Sequence, residues 1–350
     1  MAEGGDTRFK LQSERIDVPI AEARATALDI FKAHGCDPQE AAEVTNHLIE
    51  ADRSGVESHG LVRVLQYARE YKNGLLTPGA PIDCAEHGAN RLRFDANGGI
   101  GIHAMRTAVD AVTERARLHG LAMATLTGAG HTGRLGAFAE GAAHRGCMTI
   151  ILGGGDRKRW RMVAPHGGRQ ALLPTNPYCI GIPGGERGPV VLDFATGMGA
   201  GGWIYTAREA GVDLPPGMIL DKNGAPSTDP QDYFDGGAIL PKGGHIGSGL
   251  ALIAEVMGHA MLGPVSKGEI NWMVLAVDCT AHAVPEAMRA AAEEILAEVR
   301  ACPPLREGER VEVPGERERD RAASVTDTLS LTLPIWNRIR TLQASSERQG

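Results

Sequence analysis

The sequence predicts a mixed α/β fold with a helical N-terminal region. Apolar residues recur only at helical spacing over roughly the first 80 residues, whereas short apolar runs alternate with helical segments from about residue 90. Such alternation favours an α/β layer with some parallel strand pairing. A chain of 350 residues is long enough for about two domains, each with a full core.

Three helices are predicted in the N-terminal region. The first covers residues 21–34 and is followed by a glycine that suits a helix end. Residues 37–40 read Asp-Pro-Gln-Glu, which supplies an N-cap, a proline at the first helical position and an acid at the third. The second helix therefore begins there, and a polar break at 56–60 separates it from a third helix at 61–72.

Strands and helices alternate through the rest of the chain. Gly-, Pro- and Asn-rich turns separate these elements. The helix predicted at 249–262 is apolar nearly all round, so we expect it to be buried. The strands are predicted at 92–94, 121–126, 148–152, 178–182, 190–194 and 272–277, and the helices at 104–118, 135–145, 249–262 and 285–299.

These elements predict a division of the chain into regions. The sequence indicates disordered tails at 1–15 and 343–350. A helical region covers 16–85 and is joined by C-terminal helices within 284–342, and an α/β region covers 86–283.

Composition excludes several classes of partner. The formal net charge of −7 argues against nucleic acid, because phosphate binding needs a basic face. No apolar run is long enough to cross a membrane, and the N-terminus lacks a signal-like apolar segment. The six cysteines are scattered without a CxxC pair, which is typical of reduced, mostly buried thiols, and no Cys/His spacing predicts a metal site. We therefore expect a cytoplasmic protein that binds a small molecule.

Residues 128–133 spell GxGxxG between a predicted strand and a predicted helix. In one interpretation these glycines hold a dinucleotide pyrophosphate; in the other they clear space around a catalytic His131. The fingerprint alone is weak in a chain with 46 glycines. We favour the second interpretation because further polar residues of suitable chemistry occur elsewhere in the chain.

The strongest of these is Ser58-His59-Gly60 with Arg63, which brings a hydroxyl, an imidazole and a guanidinium to one helix start. An arginine fork suits a carboxylate. Loops rich in Gly and Pro at 165–169 and 174–177 are typical of rigid site walls. Residues 243–250 open a helix, whose free N–H groups we expect to suit an anion or a cofactor phosphate.

The order of these motifs resembles the malate/L-lactate dehydrogenase family of the non-Rossmann type. That family includes sulfolactate, ureidoglycolate and hydroxycarboxylate dehydrogenases. The resemblance covers roughly residues 16–340. The motifs that carry it are Ser-His-Gly-x-x-Arg at 58–63, His-x-Gly-Arg-x-Gly at 131–136, Val-Ala-Pro-x-Gly-Gly-Arg at 163–169, Thr-Asn-Pro at 175–177, Leu-Asp-Phe-Ala-Thr at 192–196, Gly-Gly-His at 243–245 and Pro-Gly-Glu at 314–316.

The resemblance implies an NAD- or NADP-dependent oxidoreductase that acts on a small anionic 2-hydroxy or 2-oxo acid. It further implies a homodimer and a fold with a mixed central sheet. His131 would be the acid/base, since histidine exchanges protons near neutral pH. By resemblance, the catalytic residues are His131, His59 and Ser58; the substrate-binding residues are Arg63, Arg134 and Arg169; and the cofactor-binding residues are Thr175, Asn176, Pro177, Asp193, Phe194, Ala195, His245, Gly315 and Glu316.

The chain departs from the family pattern at 55–57, at Trp203 and within 244–250, and two of these departures remove a lysine. Relatives commonly carry lysines where this chain has Trp203 and Ile246. Each charge-assisted contact to a phosphate contributes roughly 1.5–3 kcal/mol, so both losses together weaken cofactor binding. Two alternatives therefore stay open: a non-redox isomerase, epimerase or cyclase on the same scaffold, and a non-catalytic dimeric binding protein.

Overall fold

The computed structural model describes residues 14–199 and 201–346. The helices are α1 (Ile20–Ala33), α2 (Pro38–Arg53), α3 (Val62–Lys72), α4 (Gly101–His119), α5 (Gly136–His144), α6 (Gly201–Ala210), α7 (Pro230–Phe234), α8 (His245–Glu255), α9 (Pro285–Ala301), α10 (Glu316–Ser324) and α11 (Leu333–Ser346). The strands are β1 (Arg15–Pro19), β2 (Asp83–Glu86), β3 (Arg91–Asp95), β4 (Leu121–Thr127), β5 (Cys147–Gly154), β6 (Pro177–Gly185), β7 (Gly188–Ala195), β8 (Ile219–Leu220), β9 (Pro226–Ser227), β10 (Ala238–Ile239), β11 (Asn271–Asp278) and β12 (Thr328–Thr332).

A seven-stranded mixed sheet runs in the order β2-β3-β4-β11-β5-β6-β7. β3 and β4 pair in parallel, while β4 pairs with β11 and β5 with β6 in antiparallel fashion. β11 therefore separates β4 from β5, two strands that a Rossmann βαβ unit would place side by side. The predicted mixed, non-Rossmann sheet is confirmed.

The chain forms two compact units. The larger unit holds the described residues of Ile16–Leu152, Tyr178–Asp193 and Ser266–Gly350, and the smaller unit those of Met1–Arg15, Gly153–Pro177 and Phe194–Val265. This division differs from the predicted one at 85/86 and 283/284, because α4 packs on β4 and β11 and also on α2. The N-terminal helices and the sheet thus share one core.

The core of the larger unit explains why its helices form where the sequence places them. The Asp37 side chain accepts hydrogen bonds from the N–H groups of Gln39 and Glu40, so the predicted N-cap of α2 is confirmed. α1 packs against α2 and α3, and α2 packs against α4, which in turn contacts β3 and β4. The largest fully buried side chains of this unit include Phe31, Leu48, Tyr67, Phe94, Met105, Leu126 and Phe138.

The sequence predicts one buried helix at residues 249–262, but one face of this segment is exposed and the α-helix is not continuous. α8 ends at Glu255, and a π-helical turn continues from Val256 to Met261. The small residues of this segment face the smaller unit's own core together with Gly154 and Gly155, whereas Leu252 is 50 % exposed and Val256 is 62 % exposed. The described residues of the smaller unit cover only one side of this segment, so its apolar composition did not predict full burial.

The chain ends differ slightly from the predicted tails. α11 continues through Ser346, so residues 343–346 are helical rather than part of a tail, and β1 already begins at Arg15. Residues 1–13 and 347–350 of those tails lie outside the described residues. No helix within 14–199 or 201–346 combines the length and the apolar character that spanning a bilayer requires.

All six cysteines are free thiols. The expectation that they are mostly buried holds for three of them. Cys36, Cys147 and Cys179 are buried, Cys279 is half-buried, and Cys84 and Cys302 are exposed.

Candidate active site

A short 3₁₀ turn, Glu57–His59, carries the Ser-His pair between α2 and α3. The Asp52 carboxylate, at the end of α2, accepts a hydrogen bond of 2.8 Å from the N–H of Leu61. A Cβ atom at Gly60 would fall on that carboxylate, so only glycine fits between the two helices. The packing of α2 against the turn therefore fixes the direction in which His59 points.

Ser58, His59 and Arg63 come together as predicted. The Ser58 hydroxyl lies 3.0 Å from Nδ1 of His59, and Nε of Arg63 donates to the Ser58 carbonyl at 2.6 Å. Nη1 of Arg63 also donates to Gln66, on the next turn of α3. The guanidinium is thereby held on the helix, and its Nη end keeps N–H groups for an anion.

His131 lies on the loop 128–135, between β4 and α5. Neighbouring backbone holds this loop. The Ala129 carbonyl accepts a 2.9 Å hydrogen bond from the N–H of Glu269, and the N–H of Gly130 donates to the Gly99 carbonyl at 2.9 Å. The loop is thus fixed on both sides, which gives His131 a defined position.

The two imidazoles that the sequence singles out lie side by side. The rings of His59 and His131 are stacked, with 5.5 Å between their centroids and an interplanar angle of 21°. Both rings are half-buried. The hydroxyl of Tyr67 lies 2.7 Å from Nδ1 of His131, and the N–H of Gly133 donates to the same nitrogen at 3.2 Å.

Tyr67 is a site residue that the sequence reasoning missed. It follows Arg63 by four residues, so both side chains project from one face of α3. The spacing Ser-His-Gly-x-x-Arg-x-x-x-Tyr was therefore a readable signal. Tyr67 is fully buried, and burial raises the pKa of its hydroxyl far above its usual range. The phenol keeps its proton under all ordinary conditions.

Both imidazoles are neutral at pH 7. Burial lowers the pKa of His59 to about 3, and the neighbouring Arg63 cation acts in the same direction. The pKa of His131 lies well below 6.5 for the same two reasons. An anion bound at Arg63 would offset that cation and would make protonation of either ring easier.

A third histidine, His47 on α2, supports the loop from behind and was also missed. Its Nε2 accepts the N–H of Arg134 at 2.9 Å, and its ring stacks on Phe138 with 5.0 Å between centroids. Burial lowers the pKa of His47 to about 3. The ring is therefore a neutral hydrogen-bond acceptor that ties α2 to the loop 128–135.

The start of α5 does not offer the open N–H groups that a pyrophosphate needs. The Asp193 carboxylate accepts the N–H of Gly136 at 2.7 Å, so an anion of the protein itself occupies this helix start. This contact favours the interpretation in which GxGxxG at 128–133 does not bind a dinucleotide. It also engages one oxygen of Asp193, which the sequence assigns to cofactor binding.

Arg134 is 7 % exposed. Its Nη2 lies 3.9 Å from the Glu140 carboxylate, and its Nε makes no hydrogen bond within the described residues. The structure therefore gives this guanidinium a buried setting beside α5. Its predicted substrate-binding role stays a prediction.

In the smaller unit, Asn176 is the most constrained of the predicted cofactor-binding residues. It has a positive φ of 28° and is buried. Its Nδ2 donates to the Glu255 carboxylate at 2.8 Å and to the Gly153 carbonyl at 3.3 Å. Its Oδ1 is buried and makes no hydrogen bond within the described residues, so an acceptor is left for an N–H donor.

Glu255, at the end of α8, organises this region and was missed. Its buried carboxylate also accepts the N–H groups of Gly155 at 2.8 Å and Arg157 at 3.0 Å. Thr175 contributes through its carbonyl, which accepts both the N–H and the hydroxyl of Thr196 at 2.8 Å. The Thr-Asn-Pro segment is thereby fixed before β6 begins at Pro177.

The prediction of free N–H groups at residues 243–250 is wrong for at least four of them. The N–H group of Gly244 donates to the Pro241 carbonyl, and those of Ile246, Gly247 and Ser248 donate to the carbonyls of Gly243, Lys242 and Gly244, respectively. Because the chain enters α8 through a tight glycine turn, this helix start satisfies itself. The predicted cofactor residue His245 is exposed and meets His166 edge-on, with 6.1 Å between the ring centroids.

The remaining predicted site residues lie outside the two clusters described above. Buried Glu316 makes ion pairs with Arg300 at 2.9 Å and Arg187 at 3.3 Å, which gives it a structural role in the larger unit. Arg169 is exposed and packs beside Gly224 in the smaller unit. Phe194 and Ala195 end β7, and Gly315 precedes α10 with a φ of 91°.

Comparisons with known proteins define the family. The malate/L-lactate dehydrogenase family profile matches residues 18–340. An L-lactate dehydrogenase of Cupriavidus necator is 32 % identical over 341 residues, which cover 94 % of this chain and 97 % of that protein. A Δ1-pyrroline-2-carboxylate/Δ1-piperideine-2-carboxylate reductase of Pseudomonas putida is 32 % identical over 257 residues, which cover 73 % and 74 %.

Comparison with solved structures supports the same family. A dehydrogenase from Sinorhizobium meliloti superposes with a TM-score of 0.84 at 29 % identity and covers 95 % of this chain and 99 % of that chain. The Δ1-piperideine-2-carboxylate reductase of Pseudomonas syringae pv. tomato gives a TM-score of 0.82 at 27 % identity, with 93 % and 99 % covered. The chain belongs to the malate/L-lactate dehydrogenase family, a family of dehydrogenases and reductases, as its motifs predicted.

Proposed function

We propose that this enzyme catalyses the reversible reduction of a small 2-oxo acid, or of a cyclic imine carboxylate, with NAD(P)H. The observation that carries the proposal is the stacked pair of imidazoles, His59 and His131, in the larger unit. Each ring has a hydroxyl at its Nδ1 atom, and both rings lie beside Arg63. This arrangement supplies an anion site and proton chemistry in one place. Relatives named for lactate and for cyclic imine carboxylates share the carboxylate that Arg63 would bind.

Arg63 is the residue that we assign to the substrate carboxylate. Its Nε is held by the Ser58 carbonyl and one Nη1 hydrogen by Gln66. The remaining N–H groups at the Nη end can donate two parallel hydrogen bonds to a carboxylate. Because the same cation lowers the pKa of His59, carboxylate binding also prepares His59 for protonation.

We assign proton transfer to His59 rather than to His131, which the sequence reasoning placed first. Ser58 bonds Nδ1 of His59 through a hydroxyl, which can donate to a bare nitrogen or accept from a protonated one. His59 can therefore take either tautomer and can also carry a full positive charge. His131 lacks this freedom, since a backbone N–H points at its Nδ1.

In the reductive direction the carbonyl carbon gains a hydride and the carbonyl oxygen gains the proton from Nε2 of His59. In the oxidative direction neutral His59 removes the hydroxyl proton as the hydride leaves. A bound nicotinamide dinucleotide supplies and accepts that hydride. The burial around both rings keeps water from competing for the proton.

The residues of the smaller unit fit a nicotinamide dinucleotide. The buried Oδ1 of Asn176, which has no hydrogen-bond partner in the described part of the chain, is an acceptor of the kind that a carboxamide N–H requires. Thr175, Asn176, Pro177, Phe194, Ala195 and His245 are the residues that we assign to holding the cofactor. Lys242, on the loop before α8, is a cation four residues before Ile246, the position at which relatives carry a lysine.

The test is His59→Ala in the full-length protein, assayed with NADH and NADPH against pyruvate, oxaloacetate and a cyclic imine carboxylate. We expect kcat to fall at least a hundredfold, a typical loss for a general acid, while NAD(P)H affinity measured by fluorescence stays unchanged. His119→Ala is the matched control because His119 is exposed at the end of α4.

Turnover of His59→Ala within threefold of the parent enzyme would remove the proton-transfer assignment. If the unmodified protein binds neither cofactor in a calorimeter, the oxidoreductase proposal fails and the non-redox isomerase, epimerase or cyclase takes its place.

A further inference from the structure

The two imidazoles of the site differ in what bonds their Nδ1 atoms. Among the described residues, Nδ1 of His59 meets only the Ser58 hydroxyl, which can reverse its direction. Nδ1 of His131 meets the backbone N–H of Gly133, which can only donate. A proton on that nitrogen would point one N–H group at another and would leave the Gly133 donor without its acceptor.

The Tyr67 hydroxyl reinforces this restriction. Its oxygen lies 2.7 Å from Nδ1 of His131, and its only hydrogen has that nitrogen as an acceptor. Burial among Phe31 and the rest of the core fixes the ring, since the Phe31 and Tyr67 centroids are 6.4 Å apart. Both donors therefore aim at the same lone pair, and the proton of the neutral imidazole must be on Nε2.

We propose that Tyr67 is a positioning residue that, with the N–H of Gly133, locks His131 as the Nε2–H tautomer. His131 then offers the substrate oxygen a fixed hydrogen-bond donor while His59 moves the proton. The assignment of His131 as a donor to the substrate oxygen rests on the proposed function, whereas the tautomer of His131 is a property of the protein alone.

This division of labour explains why the site holds two imidazoles. A proton carrier must change its charge during the reaction, whereas a donor that stabilises developing charge on oxygen works best when its hydrogen is already in place. Nε2 of His131 makes no hydrogen bond within the described part of the chain, so it is available for that oxygen. The lowered pKa of His131 agrees with a ring that stays neutral.

The experiment is ¹⁵N NMR of histidine-labelled full-length protein without cofactor or substrate. The His131 signals are identified by their absence from the spectrum of His131→Gln. We expect the unmodified protein at pH 7 to show His131 with a bare Nδ1 and a protonated Nε2. An Nδ1–H tautomer or a cationic ring would overturn the inference, and this readout needs no further variant.

The variant Tyr67→Phe then tests whether the Tyr67 hydroxyl helps to set the tautomer of His131. Loss of one hydrogen bond to Nδ1 should raise the ratio of the Nδ1–H to the Nε2–H tautomer about fivefold. With substrate and cofactor, kcat should fall about tenfold while KM changes less than threefold. The matched control is Tyr71→Phe, one turn further along α3, because the buried Tyr71 hydroxyl bonds Glu40 instead. Tyr71→Phe should leave both the tautomer ratio and kcat unchanged.

An unchanged tautomer ratio in Tyr67→Phe, or an equal change in Tyr71→Phe, would overturn the role of the Tyr67 hydroxyl. Failure of the proposed function would give a different experimental result. In that case the tautomer shift still occurs, but the unmodified protein does not turn over any of the oxo acids or imines.

Discussion

His47, His59 and His131 are three neutral histidines in one unit, and each is neutral mainly because it is buried. A neutral imidazole can accept a hydrogen bond at one nitrogen and donate at the other. The protein uses this property differently at each position. His47 accepts a backbone N–H to hold the loop, His131 presents a donor, and His59 exchanges its proton.

The lowered pKa of His47 makes folding sensitive to acid. An unfolded histidine has a pKa of about 6.5, whereas the folded pKa of His47 is about 3. Between these values the unfolded chain binds a proton that the folded chain does not. The stabilisation is therefore complete above about pH 6.5 and falls by about 1.4 kcal/mol per pH unit as pH drops toward 3.

We predict that His47→Gln removes the His47 contribution to this slope, since the glutamine carbonyl can still accept the Arg134 N–H but does not titrate. His59 and His131 keep their contributions in both proteins. Urea unfolding at pH 6.5 and pH 5 measures it. The parent protein should lose about 2 kcal/mol more than the variant over that interval. His119→Gln, at an exposed position, should lose as much as the parent. Parallel losses in the parent and in His47→Gln would contradict the prediction.

For individual residues, the sequence predicted the contacts between residues that are close together in the chain. Ser58, His59 and Arg63 are found from their spacing, because the chain brings neighbours in sequence together around one turn. The contacts of His131 with Tyr67 and of His47 with Arg134 join residues that are far apart in sequence. The spacing of Tyr67 from Arg63 shows that they share a face of α3, but a single sequence does not specify that the loop 128–135 packs there, or that His47 of α2 reaches the same loop.

Among the elements, the loop 128–135 is the one on which the site depends. Gly133 has a φ of 70°, and a Cβ atom there would fall on the His47 ring. The position is thus restricted twice, by its backbone conformation and by the close approach of α2. Its N–H is also the donor that restricts His131.

We predict that Gly133→Ala is more destabilising than Gly120→Ala. Gly120 has a similar φ of 81°, but a Cβ atom there meets nothing within 4 Å. Gly120→Ala should therefore cost about 1–2 kcal/mol for the left-handed backbone alone. Gly133→Ala adds an overpacking cost of about 1–3 kcal/mol and should also lower kcat.

Urea unfolding of both variants beside the parent measures the two costs. Equal losses of unfolding free energy would show that α2 yields to the added methyl group without strain.

Element types were easier to predict from the sequence than their pairing. Asp37 marks the start of α2 through contacts within four residues. The insertion of β11 between β4 and β5 depends on pairing across more than a hundred residues, which no local pattern encodes. The exposed face of α8 was misjudged for a related reason. Composition shows that a helix is apolar but does not show what covers it.

For the whole molecule, the family resemblance implies a homodimer, and we propose that the two copies associate through that face. Five large apolar side chains within residues 246–261 are each at least half exposed, namely Ile246, Leu252, Ile253, Val256 and Met261. Monomeric proteins rarely leave a large apolar patch in water. Burying such side chains gains about 25 cal/mol per Å² of apolar surface, so self-association gives this face a cover that the described residues do not supply.

The prediction is that the parent protein sediments as a dimer and that Leu252→Glu with Val256→Glu dissociates it. A carboxylate buried without a partner costs several kcal/mol, so the dissociation constant should rise at least a hundredfold. Leu118→Glu is the matched control, because Leu118 is 74 % exposed on α4 in the larger unit and lies outside the proposed interface. Sedimentation equilibrium at several concentrations measures all three proteins. A parent protein that is monomeric throughout, or a double variant that dimerises as well as the parent, would place the apolar face of α8 outside any interface between copies.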